Sequence, residues 1–169
     1  FFTQCYANSF RTDRGTVSAL SGYLGLPTVS IMKVPVKSRT LPAISEELAK
    51  VGYQTDFFYG GDINFTNMKS YLVSKGYQKL TADTDFSLAE QNSNAWGVND
   101  DITSDRLLEQ LKQRAGTDTP WFTTFLTLSS HEPFEVPYNR LEEKIPDAFA
   151  YTDACLGKLI EGLKQSPLW

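Results

Sequence analysis

Along the chain, apolar positions alternate between helical spacing and short unbroken runs, the pattern of a protein built from alternating helices and strands. Phe1 to Ala7 is short and aromatic-rich and predicts a first strand. From Thr12 onward Val17, Leu20 and Leu24 recur on one helical face, placing Thr12 near a helix N-terminus. Leu41, Ile44, Leu48 and Val51 predict a second helix ended by Gly52, and Gln54 to Tyr59 predicts the strand it feeds, closed by Gly60-Gly61-Asp62. A third helix is expected from about Asn67 to Lys75, stopped by Gly76. Tyr77 to Asn99 is polar and without clear period, and reads as a long irregular connection of the kind that lines sites. Asn99 or Asp100 then caps a helix to about Arg114, with Leu107, Leu108 and Leu111 as its buried stripe. Trp121 to Leu128 has almost no polar interruption, as expected of a strand covered on both faces in a parallel sheet. The last helix, about Asp147 to Gln165, is expected to bury Phe149, Leu156, Ile160 and Leu163. The fold class is α/β.

Charge narrows the partners. With 16 Lys+Arg against 20 Asp+Glu the net charge is −4, and no basic block is present, which argues against nucleic acid as a partner. Hydrophobic residues at 41% and charged residues at 21% exclude the composition of a disordered chain. No apolar run approaches the ~18 residues of a membrane span, and the N-terminus lacks the charged head and apolar stretch of an export signal. A start at Phe1 and an end on Pro167-Leu168-Trp169 lead us to expect a segment of a longer protein. Cys5 and Cys155 lie at opposite ends and leave both their pairing and the redox compartment undecided. His131 is the one histidine, so a site with several imidazole ligands would have to borrow them from elsewhere.

In an open parallel α/β sheet, ligands bind beyond the carboxyl ends of the strands. Those ends lead here to Asn8–Thr12, to Gly60-Gly61-Asp62 and to Ser129-Ser130-His131. A hydroxyl at Thr12, on the positive end of a helix dipole, suits a phosphate or sulfate or the attack on such an ester, while the alternative is a plain helix cap by Thr12 or Ser9. Arg11 and Arg14 offer charge for an anionic substrate, or are solvated or paired with Asp13. His131, in a loop before Glu132-Pro133, can donate a hydrogen bond or titrate near neutral pH. Gly60-Gly61 allows close backbone approach or simply a turn, and Asp62 shares that ambiguity. Trp96 beside Asp100 and Asp101 is either an aromatic wall of the site or an anchor of its long loop.

In combination these segments say more. Asn8-Ser9-Phe10-Arg11-Thr12-Asp13-Arg14-Gly15, Ser21-Gly22-Tyr23, Pro27-Thr28, Ser30-Ile31-Met32-Lys33, Tyr59-Gly60-Gly61-Asp62, Trp96-Gly97-Val98 and Ser130-His131-Glu132-Pro133-Phe134 resemble, in order, the lipoteichoic acid synthase-like branch of the sulfatase and alkaline phosphatase superfamily. The resemblance implies an alkaline phosphatase-like three-layer α/β/α sandwich with a mainly parallel sheet, of which residues 1–169 would be the central part of one catalytic domain. It also implies a membrane-anchored enzyme working on the extracytoplasmic face of a bacterial membrane. Thr12 would be the nucleophile and a metal ligand, taking phosphoglycerol or a related head group from a phospholipid; His131, with Arg11, Asp62 and Trp96, would contact substrate. The expected cofactor is a divalent metal, manganese first, with its other ligands on strands outside this chain, so that the segment alone would hold it poorly and be inactive. Where the lipoteichoic acid synthases carry Trp-Asn-Arg, this chain has Thr66-Asn67-Met68, which leaves phosphoethanolamine, another phosphodiester or a sulfate ester open. The competing description is a non-catalytic α/β module that binds an envelope glycan or lipid head group.

Overall fold

A computed structural model describes residues 4–169, which form two compact units. The first contains the chain up to Asp56, Ile63–Lys79 and Thr119–Phe122; the second contains Phe57–Asp62, Leu80–Asp118 and Thr123–Trp169. The expected strand at Phe1 to Ala7 is not formed over Gln4–Ala7, and its first three residues lie outside the described residues.

Three strands, β1 (Gln54–Tyr59), β2 (Lys79–Thr81) and β3 (Trp121–Leu126), make one parallel sheet in the order β2-β1-β3. β1 matches its expected bounds and buries Thr55 through Phe58, as a central strand must. β3 ends two residues early and is half-buried along its whole length, against the expectation of cover on both faces. Its position at one end of the strand order explains this, because an end strand has one neighbour where a central strand has two. β2 was not expected at all. Three residues, one of them lysine, carry no readable period.

In the first unit, α1 (Thr12–Ser21) stops at Gly22, which takes a left-handed φ of 66° and returns its N–H to the Ser18 carbonyl at 3.0 Å. Leu24 therefore falls beyond the helix and is exposed, and the buried face is Asp13, Thr16, Val17 and Leu20. α2 (Pro35–Ser38) begins on a proline, whose missing N–H costs nothing at that position. α3 (Ile44–Lys50) starts later than expected, after Pro42, and the expected face is overturned: Ile44 and Val51 are exposed, while Ala43 and Ser45 point inward. α4 (Met68–Ser74) falls where expected and buries Met68, Tyr71 and Leu72. The Tyr71 hydroxyl meets Ser21 at 2.6 Å, and burial pushes its pKa up to about 12. Lys75, fully buried, donates its ammonium to the Arg39 and Leu41 carbonyls at 3.1 and 2.6 Å and faces Glu46 at 3.4 Å. Losing those donors would leave buried carbonyls without partners, so this lysine ties α2, α3 and α4 together.

In the second unit, Phe58 packs edge-on against Phe86 and Phe125, with ring centres 6.3 and 6.4 Å apart. The connection read as irregular contains α5 (Leu88–Gln91), opened by a reciprocal cap: the Glu90 N–H donates to Ser87 Oγ, and the Ser87 N–H donates to Glu90 Oε2. Those Ser87 hydrogen bonds hold the half-buried Glu90 carboxyl below the usual range. α6 (Asp100–Lys112) buries Leu107 and Leu111, with Leu108 half-buried against Gly162 of α7 (Lys144–Lys164). The face of α7 is corrected by about one position. Ala148, Tyr151, Thr152, Cys155 and Leu159 are buried, whereas Phe149 and Ile160 are exposed. Cys5 is exposed and Cys155 buried, both as free thiols, and burial raises the Cys155 thiol to about 11. No helix among the described residues is long and apolar enough to cross a membrane.

Candidate functional site

The candidate residues fall into two groups, one in each unit. The first surrounds the start of α1. Arg11 is the residue before the helix and Thr12 its first helical residue, yet no side chain caps the free N–H groups there. Thr12 is exposed and its hydroxyl makes no hydrogen bond among the described residues, so the capping role open to it in the sequence is not the one it takes. Asp13, by contrast, is buried in the first turn and accepts from the Arg14 N–H at 3.0 Å. It pairs with neither arginine. Both guanidinium groups lie over the Phe10 ring instead, Arg11 at 5.9 Å and Arg14 at 5.1 Å from its centre. The result is an exposed hydroxyl at the positive end of a helix, flanked by cations that no carboxylate among the described residues neutralises.

The second group is centred on His131, which is exposed. Its Nδ1 lies 2.8 Å from the Glu132 carbonyl; a carbonyl only accepts, so Nδ1 carries a proton and Nε2 is the ring nitrogen left for a ligand. Trp96 donates its indole N–H to the same Glu132 carbonyl, and its ring centre stands 4.8 Å from that of His131. Asn94 donates to the Glu135 carbonyl at 3.1 Å. Trp96 is thus the aromatic neighbour of His131 and ties its own loop to the Glu132 carbonyl. Asp62 is exposed and adds, after burial, to the upward shift of the Tyr59 phenol to about 12, which keeps that phenol protonated.

Gly60 and Gly61 serve a backbone of this chain. Gly61 bridges Gly97, the Val98 N–H bonds the Gly60 carbonyl at 2.8 Å, and a Cβ on Gly60 would sit 2.6 Å from the Val98 carbonyl oxygen. Only glycine admits that approach. It sets the Trp96 segment against the end of β1.

Asp100 is the residue that the sequence reading understated. The sequence leaves it open as a cap or part of an acidic wall, but its carboxylate is 1% exposed and turned inward. Oδ1 accepts from the Leu128 N–H at 2.7 Å; Oδ2 accepts from the Ser129 N–H at 3.0 Å and from Thr152 Oγ1 at 2.9 Å. Its own N–H donates to Ser129 Oγ at 2.8 Å. One carboxylate at the start of α6 therefore fastens α7 to the chain leaving β3, two residues before His131.

Among the described residues, no group of three His, Cys, Asp or Glu side chains converges as a metal site would require. The residues present do not by themselves fit the divalent ion that the resemblance implies, of whose ligands it expects Thr12 alone from this chain.

Comparison with known proteins places this geometry. Lipoteichoic acid synthase 2 of Bacillus subtilis (strain 168) is 25% identical over 144 residues, an alignment covering 77% of this chain and 21% of that protein. A protein in the alkaline phosphatase superfamily from Vibrio parahaemolyticus superposes with a TM-score of 0.86 at 30% identity, covering 99% of this chain and 42% of that one. The lipoteichoic acid synthase LtaP from Listeria monocytogenes gives 0.85 at 19% identity, covering 95% and 42%, a likeness of fold. The chain thus spans less than half the length of each of these relatives. The expected alkaline phosphatase-like α/β fold, present as a partial domain, is the one observed. The sulfatase family model matches residues 1–169 from end to end, and the chain belongs to that family.

Proposed function

We propose that these 169 residues are the central part of the catalytic domain of a phosphate- or sulfate-ester transferase, with Thr12 as nucleophile and a phospholipid head group such as phosphoglycerol as the transferred group. One observation carries the reading: the Thr12 hydroxyl stands exposed and unbonded on the first residue of α1, beside Arg11, where an anionic ester is favoured. In the step we derive, Thr12 Oγ forms a bond to phosphorus while the bond from phosphorus to the leaving alcohol oxygen breaks. The hydroxyl proton ends on that alcohol. An acceptor hydroxyl, or water, then reverses the exchange and restores Thr12. Arg11 neutralises ester charge, and the resemblance implies a substrate-contacting role for His131.

Met68 is buried and the Thr66 hydroxyl turns toward the Met32 sulfur at 3.8 Å, so neither supplies the arginine of the lipoteichoic acid synthases at this segment. The head group is therefore assigned by class, as a phosphodiester, with sulfate ester as the second reading on family grounds. The resemblance to lipoteichoic acid synthases supports the extracytoplasmic face of a bacterial membrane as the place where the whole protein works. The test is a panel of phosphatidylglycerol, phosphatidylethanolamine and an aryl sulfate offered to the full-length protein containing this chain. Release of diacylglycerol from a phospholipid is the expected result; turnover of the sulfate alone, or of none, would overturn the phosphodiester assignment.

A further inference from the structure

Leu24, Leu26 and Val29 lie between α1 and α2, beyond the left-handed stop at Gly22 that ends α1, and all three are exposed, Leu24 at 73% and Val29 at 53%. Single exposed apolar side chains are ordinary on a protein surface. These are not single. Together with Arg14 they line one hollow of about 10 Å³, too small to seat a ligand but enough to fix them as neighbours. Arg14 in turn lies over the ring of Phe10, itself 78% exposed. The apolar surface therefore runs from Phe10 to Val29, and its contact with water is unfavourable in proportion to its area.

The charge around it has one sign. From Arg14 to Ser45 the chain has no Asp or Glu, while Arg14, Lys33, Lys37 and Arg39 fall within that stretch. Lys33 ends the short turn of helix Ile31–Lys33, which packs against both α1 and α2, and Lys37 is on α2. Both lysines are exposed and form no ion pair among the described residues. The first unit as a whole holds nine Lys and Arg against four Asp and Glu, within a chain whose net charge is −4. The basic side chains are thus gathered on the unit that carries the apolar surface.

We propose that this surface is a docking face for an anionic lipid bilayer. Phe10, Leu24, Leu26 and Val29 enter the boundary between head groups and acyl chains, and Lys33 and Lys37 stay at the level of the lipid phosphates, as in other interfacial segments. A second copy of the chain is the poorer occupant, because apposing the same face twice would set Arg14, Lys33 and Lys37 against their own kind. A bilayer supplies the complementary charge and an apolar interior at once. The inference rests on the phospholipid reading for its use: Phe10 and Arg14 flank Thr12 in sequence, so docking holds that hydroxyl at the depth where a lipid phosphodiester lies. Adhesion itself requires no chemistry at Thr12.

The test places an environment-sensitive fluorophore at Leu24→Cys, at Val29→Cys or, as a control on another exposed apolar residue of the same unit, at Val51→Cys. The full-length protein is used, stripped of its exposed cysteines, Cys5 included. It is combined with vesicles of phosphatidylglycerol and phosphatidylcholine whose acyl chains are brominated, which quench only a probe that reaches the acyl boundary. Strong quenching is expected at the first two sites and little at the third, falling when phosphatidylglycerol is left out. Lys33→Gln with Lys37→Gln should weaken docking, read from the quenched fraction, at least about tenfold, from roughly a fivefold factor for each basic residue beside an anionic surface. Thr12→Ala should be quenched as the parent is. A parent that is quenched in this pattern yet turns over no phospholipid would support the docking face and count against the catalytic reading alone. Equal quenching at the control site, or quenching indifferent to phosphatidylglycerol and to the two lysines, would overturn the inference. So would probes at the first two sites that are shielded from water but beyond the reach of brominated lipid, the mark of a second copy or another protein segment on this face.

Discussion

Asp100→Ala is expected to lower the unfolding free energy by about 3–5 kcal/mol, a large part of the ~5–15 kcal/mol available to an ordinary domain. The carboxylate accepts from the N–H groups of Leu128 and Ser129 and from the Thr152 hydroxyl, and all four residues are buried. Alanine removes three accepted bonds at once and leaves each donor without water or partner, at a cost of roughly 1–3 kcal/mol apiece, partly recovered by relaxation. Asp100→Asn should recover only part of this, because its amide nitrogen would face an N–H donor. Urea unfolding of the chain measures the effect. A midpoint shift equivalent to less than about 1 kcal/mol would mean that this carboxylate is not the fastening it is taken to be.

The second large effect is on activity. In the full-length protein, Thr12→Ala should abolish transfer while leaving stability within about 0.5 kcal/mol, since the residue is exposed and caps nothing. Alanine is also a good residue for a first helical turn. Thr12→Ser should keep measurable turnover, because the hydroxyl and its place on α1 survive. His131→Ala is the instructive contrast: losing one substrate hydrogen bond should cost roughly 1–3 kcal/mol of transition-state binding, a reduction in kcat/KM and not a loss. A Thr12→Ala protein that transferred at the parent rate would remove Thr12 from the mechanism.

Elements bounded by glycine were legible in the sequence. β1 lies between Gly52 and Gly60-Gly61, and α4 stops before Gly76 at a left-handed φ of 77°, so their limits could be read from the chain. The face of α7 could not, because Phe149, Leu156 and Ile160 repeat at helical spacing as well as Ala148, Tyr151, Cys155 and Leu159 do. Periodicity cannot rank two apolar stripes; packing does. The candidate site divides in the same way. Thr12 and His131 stood out through local motifs that resemble a family. The anchoring role of Asp100 did not, because its partners lie 28, 29 and 52 residues away and no local pattern links them. The shared Glu132 carbonyl that joins Trp96 to His131 is likewise a main-chain contact, which no residue type announces.

The central claim is that Thr12 forms the bond to the transferred group. It is tested most directly by acid-quenching the full-length protein during turnover of a phosphodiester and mapping its peptides by mass. The account predicts an added phosphoryl-containing group on the peptide carrying Thr12, present in the parent and in Thr12→Ser, absent in Thr12→Ala. Steady turnover with that peptide unmodified, and undiminished in Thr12→Ala, would contradict it.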